Sequence, residues 1–192
     1  MGAHFFAYLA RMRYITRWGL MRSTVPENVQ EHSHMTAVLA HALAVIRRDV
    51  LGGEADPERA ATAALFHDAT EILTGDLPTP VKYFNPEIRA SYREVEDLAA
   101  DKLLSTLPEA MRPAYEDWLR EDYDRETLAL VKAADKLSAL IQCLEEQKAG
   151  NPEFRKAEEQ TRKTLEDMDL PEVDYFLEHF LPAFRLTLDE LE

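Results

Sequence analysis

Leu65 Phe66 His67 Asp68 Ala69 Thr70 Glu71 sets one histidine and two carboxylates inside a run that otherwise reads as buried helix. On a helix, residues three and four apart are neighbours, so His67 lies above Glu71 while Asp68 projects from the adjoining edge of the same face. Such a face can offer an imidazole nitrogen and a carboxylate to one cation and keep a second carboxylate beside it as a base. A His-Asp pair alone carries little specificity. Its meaning depends on whether the rest of the chain supplies more ligands, a phosphate clamp and a substrate loop.

Working outward, Asp56 Pro57 Glu58 opens the helix that bears this stretch, with a capping side chain, a proline at the first helical position and an acid favourable to the dipole. The helix is expected to end near Leu73, with Gly75 as the left-handed residue after it. The following Gly75 Asp76 Leu77 Pro78 Thr79 Pro80 contains two prolines and reads as a stiff loop. Upstream, Phe5, Phe6, Leu9 and Met12 predict an amphipathic helix over about 4–15, followed by Arg17, Trp18 and Gly19 and a loop to Glu27. A second helix begins between Asn28 and Glu31 and runs past Ile46 on Met35, Val38, Leu39, Ala42 and Ile46, with His32 in its first turn and Gly52 Gly53 after it.

Downstream, Asn85 Pro86 Glu87 starts a helix through Tyr92, Val95, Leu98, Ala99 and Leu103, and Pro108 and Pro113 bracket a short connection. A long helix follows over about 125–149 on Leu128, Val131, Ala134, Leu137, Ile141 and Leu144, closed by Gly150, with Asp135 beside the stripe. Asn151 Pro152 Glu153 is a third start signal, leading into a charged helix and shorter ones carrying Phe176, Phe180 and Phe184. With no alternating strand pattern, repeat or low-complexity linker, the expectation is an all-α fold and one compact domain over 1–192.

Of 192 residues, 46% are hydrophobic, enough for one sizeable core. The 22 Lys plus Arg against 36 Asp plus Glu give a net charge of −14, which argues against a nucleic-acid polymer or an anionic membrane as partner. A small anionic substrate needs locally placed cations. One cysteine, Cys143, excludes an intramolecular disulfide, and with no signal peptide or apolar run of membrane-span length the default expectation is the cytoplasm. The opening Met1 Gly2 lacks the Ser or Thr at position six that a myristoylation signal needs; that position is Phe6.

A buried mid-helix aspartate is costly unless it is paired or ligates a metal, and Asp135 adjoins Ala133, Ala134 and Leu137. Its plain reading is a salt bridge with Lys132, three residues away. The plain reading of His32 is a polar surface or capping residue. Considered together, His32, His67, Asp68 and Asp135 form a mixed nitrogen and oxygen set suited to manganese, cobalt, iron or zinc, whereas calcium wants more oxygens.

This pattern resembles the HD-domain phosphohydrolases, and the flanks bring it closer to the bacterial HD-domain 5′-deoxynucleotidases. The residues that carry the likeness are Arg17 Trp18 Gly19 Leu20 Met21 Arg22, then Glu27 Asn28 Val29 with Glu31 His32 Ser33, then His67 Asp68 Ala69 Thr70 Glu71. The most specific run is Gly75 Asp76 Leu77 Pro78 Thr79 Pro80 Val81 Lys82 Tyr83 Phe84, and the likeness extends to Asp135 and Leu186 Thr187 Leu188 Asp189 Glu190. It implies that His32, His67, Asp68 and Asp135 hold one divalent ion, cobalt or manganese first, with zinc or iron as alternatives. It implies that Glu71 activates water, that Arg17 orients the phosphate, and that Trp18 with Asp76, Leu77, Pro78 and Thr79 lines the sugar and base site. It also implies a homodimer and tolerance of several bases.

The expected activity is therefore metal-dependent hydrolysis of deoxyribonucleoside 5′-monophosphates. The rivals are removal of tripolyphosphate from deoxynucleoside triphosphates, which the scarcity of cations near the motif disfavours, and a non-catalytic nucleotide sensor, which an intact ligand set with Glu71 disfavours. His41 is more than two turns from His32 and reads as structural, His34 is closer, and Cys143 reads as a small buried hydrophobe. The Phe176, Phe180, Phe184 series reads as core, and Glu158 Glu159 as a solvated face.

Overall fold

The computed structural model describes residues 3–82 and 84–191. The residues Met1 and Gly2 of the myristoylation reading and Tyr83 of the specific run lie outside them. The described residues form ten α-helices with short 3-10 and π turns and no strand, only an isolated bridge between Thr16 and Asn28. None of these helices is long and apolar enough to cross a membrane.

Three helices position the site. The Asn28 side chain accepts from the Glu31 N–H at 3.0 Å while Glu31 accepts from the Asn28 N–H at 3.3 Å, a reciprocal cap that starts α2 (Val29–Val45). Asp56 caps α3 (Pro57–Phe66) through the Arg59 N–H, and Asp124 caps α8 (Arg125–Lys148) through the Thr127 N–H. The remaining helices are α1 (Phe5–Leu9), α4 (Glu71–Thr74), α5 (Thr79–Lys82), α6 (Pro86–Ser105), α7 (Glu116–Arg120), α9 (Arg155–Glu166) and α10 (Pro171–His179).

The face that α2 buries matches the expected one at Leu39 and at Ile46 just beyond its end, and departs from it at Val38. Ala37, Ala40, Leu43 and Ala44 are buried while Val38 is exposed. Against them stand Ala60, Ala63 and Ala64 of α3 and Ala133 and Ala134 of α8, so small side chains let the three backbones approach closely and Leu130, Leu137 and Leu140 fill the remaining core. The α8 stripe is as predicted. On α6, Ala99, Ala100, Leu103 and Leu104 are buried, but Val95 and Leu98, expected in its stripe, are exposed. The former group joins Phe5, Ala69, Leu107 and Leu119 in a second cluster.

Two predicted helices are interrupted. The N-terminal one ends at Leu9 and continues as a 3-10 turn, because the chain must extend by Ile15 for Val29 N–H to bond the Ile15 carbonyl (2.9 Å) and Arg17 N–H the Glu27 carbonyl (2.9 Å). The α3 helix stops at Phe66, and residues 67–70 form turns with Ala69 N–H on Phe66 O (2.9 Å) and Glu71 N–H on Asp68 O (3.1 Å). Three residues per turn eclipse positions i and i+3, so Asp68 and Glu71, rather than His67 and Glu71, become vertical neighbours. This turn is pinned from both sides, by Ala64 in the first cluster and Ala69 in the second.

Gly75 follows α4 with φ 73° and ψ 164°, an extended positive-φ conformation rather than the expected left-handed helical one, and essentially only glycine adopts it. Within the predicted stiff loop, Thr79–Lys82 is helical. The connection after Pro108 holds a 3-10 turn and α7.

Candidate functional site

His32, fully buried, points its Nε2 at three groups: Asp135 Oδ1 at 3.1 Å, Asp68 Oδ2 at 3.6 Å and, more weakly, the Thr36 hydroxyl at 3.4 Å. Its Nδ1 faces the Ser138 hydroxyl at 3.1 Å. His67 donates from Nδ1 to the Ala64 carbonyl at 2.7 Å, which leaves Nε2 as the free nitrogen, 3.2 Å from Asp68 Oδ2. One ligand atom each from His32, His67 and Asp135 lies within 4.8 Å of the others. The surface or capping reading of His32 fails, because Asn28 and Glu31 do the capping. Asp135 does pair with a lysine, but it is Lys136, at 2.9 Å, rather than Lys132.

These residues fit a cation. His67 Nε2 is buried and completes no hydrogen bond, Asp68 being out of line for one. Burial, the largest influence on His67, opposes its charge, yet Asp68 and Asp135 outweigh it and push the ring up to about 9 from the ordinary 6.5. Burial also works against the charge of Asp68 and Asp135. The surrounding cations prevail at both, His67, His32 and Arg17 at Asp68 and Lys136 with the two histidines at Asp135, and hold both below the usual carboxylate range.

Glu71 behaves oppositely. Its Oε2 is buried without a partner, and burial, then Asp68 and Asp76, push the carboxyl up to about 10, with Arg17 and Lys82 pulling the other way. Asp76 is raised by burial against the pull of Arg17 and of the nearby Trp18 backbone N–H.

The stability consequence has a definite sign. His67 at about 9 instead of 6.5 and Glu71 at about 10 instead of 4.5 both hold a proton in the native state that the unfolded chain has released. The stability from His67 is complete below 6.5 and lost as pH rises through 9, and Glu71 loses stability in the same direction from 4.5 upward. Metal-free protein is therefore expected to show a Tm that falls from about pH 6.5 to 9. A divalent cation taking the place of the proton on His67 would flatten or reverse that fall. Thermal melts of chelator-treated and reloaded protein check this, and a Tm that climbs with pH in chelator contradicts it.

A cleft of about 710 Å³ meets the cluster at Arg17 and Asp135. Its walls are Trp18 to Met21, Asp76, Pro78, Thr79 and Pro80, then Lys136 and Ala139 of α8 and Gln160, Thr161 and Thr164 of α9. Leu77, expected on this wall, is half-buried and does not line the cleft, because its neighbours Asp76 and Pro78 take the inward positions. Arg17 donates from Nη1 to Asp68 Oδ2 at 3.3 Å and from Nε to Glu27 Oε2 at 3.1 Å. His34 and His41 are exposed, so His34 joins His41 as a surface residue. Cys143 is fully buried, with burial pushing its thiol up to about 12. Glu158 is half-buried and accepts from Gln147, Arg162 and Arg185, while Glu159 is exposed. Phe176 is buried but Phe180 is exposed.

Sequence reading gave no role to Glu27, although it stands among the residues that carry the likeness, and passed over Ser138, Lys136 and the α9 wall. Ser138 was findable, since it lies three residues after Asp135 and so on the same helix face. The acceptor role of Glu27 could not be read, because it depends on a loop closing back on Arg17.

This histidine-aspartate cluster, beside an arginine and a cleft, sits in a fold shared with HD-domain phosphohydrolases. An HD-domain phosphohydrolase of Listeria innocua superposes with a TM-score of 0.83 at 27% identity, covering 96% of this chain and 90% of that one. A cyanophage S-2L HD phosphohydrolase, solved bound to dA and one catalytic Zn²⁺, has the same fold with a TM-score of 0.66 at 23% identity, over 94% and 97% of the two chains. A family model described as 5′-deoxynucleotidase YfbR-like matches residues 4–184. Relatives named 5′-deoxynucleotidase in Vibrio parahaemolyticus and Vibrio cholerae are 50% and 49% identical, each over 98% of this chain and 98% of its own length. The chain belongs to the YfbR-like 5′-deoxynucleotidases, and it is an enzyme.

Proposed function

We infer that the enzyme hydrolyses deoxyribonucleoside 5′-monophosphates to deoxyribonucleosides and phosphate, with His32, His67, Asp68 and Asp135 holding one divalent ion. The observation that carries this reading is the buried, unpartnered His67 Nε2 among His32, Asp68 and Asp135, at the foot of a cleft headed by Arg17. When bound, such an ion polarises a phosphoryl oxygen and acidifies a water. Glu71, whose high proton affinity suits a base once ionised, takes the proton from the attacking water. Arg17 has its Nε on Glu27 and its Nη1 on Asp68, so Nη2 is the nitrogen turned to the phosphate. Trp18, Asp76, Pro78 and Thr79 stand against the sugar.

The mixed donor set suits cobalt or manganese first, with zinc or iron as alternatives; the catalytic Zn²⁺ of the cyanophage protein supports a divalent ion of some kind. We further propose that the chain works as one domain in the cytoplasm and as a homodimer. Exposed Val81, Phe84, Ile88, Val95 and Leu98 on and around α5 and α6 are apolar surface that a second copy would cover.

Phosphate release from a panel of deoxy and ribo monophosphates, with divalent cation or chelator, tests the assignment. The expected result is cation-dependent phosphate from the deoxy series and much slower release from the ribo series. Tripolyphosphate from deoxynucleoside triphosphates would assign the rival hydrolase, and no release from any substrate would assign the sensor.

A further inference from the structure

Glu27 holds together two parts of the site that the sequence treats separately. Its Oε2 accepts from Arg17 Nε at 3.1 Å and from Trp18 Nε1 at 2.9 Å, and its Oε1 lies 3.8 Å from His32 Nδ1. Its own carbonyl accepts the Arg17 N–H at 2.9 Å, so residues 17–27 form a loop closed at the base. The far side of that loop is tied down independently: buried Glu146 accepts from the Thr24 N–H at 2.8 Å and the Val25 N–H at 3.2 Å, and Asn151 donates to the Arg22 carbonyl at 2.8 Å. Glu27 directly precedes the capping residue of α2 and is therefore fixed relative to His32.

Trp18 is the residue that needs holding. Its φ is 61°, in the left-handed region that a bulky side chain occupies only when its surroundings enforce it. The enforcing contacts are the Glu27 carboxylate at the indole N–H and Phe154, whose ring meets the indole edge to face at 5.2 Å. Both Arg17 and Glu27 side chains are nearly buried, at 13% and 11% exposed, so this pairing is little screened by water.

We propose that Glu27 is a positioning residue that couples the phosphate clamp to the sugar wall, one carboxylate oxygen setting both the guanidinium plane of Arg17 and the indole plane of Trp18. The proposal rests on the roles given above to Arg17 and Trp18. Without Glu27, the guanidinium keeps only its bond to Asp68, and the indole N–H loses its acceptor while the strained backbone is freed to relax. Phosphate turnover and discrimination at the 2′ position then change together.

The test uses Glu27→Ala, Glu27→Gln and Trp18→Phe, the last keeping an aromatic ring without the N–H. The chain has two tryptophans, so a ¹H–¹⁵N spectrum shows two indole signals, and Trp18→Phe identifies the one that belongs to Trp18. In Glu27→Ala that signal is expected to shift and exchange faster with water, with the Trp118 signal unmoved. Its kcat/KM on deoxy monophosphates is expected to fall about ten- to hundredfold, the scale of a lost hydrogen bond to a charged group, and its deoxy-over-ribo ratio to narrow. Glu27→Gln, which keeps the shape and one acceptor oxygen, is expected to recover part of both losses and remains informative if the alanine variant folds poorly. Trp18→Phe is expected to narrow the ratio in the parent but not further in Glu27→Ala. An unmoved Trp18 signal, equal losses on both sugars, or additive effects of the two substitutions would overturn the proposal. A parent protein that releases no phosphate would instead refute the assigned function, and the indole signal would still read the tether.

Discussion

Asp135→Ala is expected to strip the enzyme of its ion and of turnover while leaving a folded helical protein. Asp135 Oδ1 sits 3.1 Å from His32 Nε2, and its other oxygen is held by Lys136 at 2.9 Å. Removing the carboxylate takes away one of the four proposed ligand groups and leaves fully buried His32 with a poorer environment. The loss of a partner from a buried pair reaches about 3–5 kcal/mol, and the partial exposure of Asp135 puts this case toward the lower end or below it. Helicity should survive, because α8 is anchored by Leu130, Val131, Leu137, Leu140, Ile141 and Leu144 on its buried face. Far-UV circular dichroism near the parent's, with the metal content lost, is the expected pair of readings. A variant with full metal content and turnover would return Asp135 to a simple salt bridge with Lys136. His41→Ala, on an exposed residue of α2, is the matching control that keeps its ion.

Glu71→Ala is expected to keep the ion and lose turnover by about two to four orders of magnitude, the usual contribution of general acid-base catalysis. The loss should fall on kcat with little change in KM, since Glu71 is assigned to proton transfer rather than to substrate binding. Stability should move the other way. The carboxyl is buried beside Asp68 and Asp76, holds its proton to about pH 10 and has one oxygen without a partner. Such a group opposes folding, so the alanine variant is expected to melt at or above the parent temperature. A lower Tm together with loss of the ion would show that Glu71 is a ligand.

Much of this architecture was readable because local chemistry and tertiary structure agree. Asp56 Pro57, Asn85 Pro86 and Asn151 Pro152 begin helical segments where the capping rules place them, and the α8 stripe needs only the 3.6-residue period. The misreadings share one cause, which is that contacts distant in sequence decide them. Part of the α2 face was misjudged because Val38 is more hydrophobic than Ala37 or Ala40, yet close helix packing selects the alanines. The turn after Phe66 was read as continued helix because nothing in His67 Asp68 Ala69 Thr70 breaks one. Its shape comes from Ala64 and Ala69 packing into different clusters.

At the site, His32, His67, Asp68 and Asp135, the proposed ligands, were legible in advance as chemistry in need of partners, since a buried aspartate or histidine announces itself, while the role of Arg17 came from the family likeness. The supporting groups were not. Glu27 becomes an acceptor only when residues 17–27 close, and Gln160, Thr161 and Thr164 reach the cleft only when α9 folds back along α8. Leu77 was assigned to the wall with its neighbours because a sequence motif does not say which of its side chains turn inward.

The central claim is that one set of residues holds the cation and a different residue moves the proton. Metal content and phosphate release from a deoxyribonucleoside 5′-monophosphate, measured on the same preparations of parent, Glu71→Ala and Asp135→Ala protein, test it most directly. The account predicts ion and phosphate release in the parent, ion without phosphate release in Glu71→Ala, and neither in Asp135→Ala. An Asp135→Ala protein that keeps its ion, or a Glu71→Ala protein that turns over at the parent rate, would contradict it.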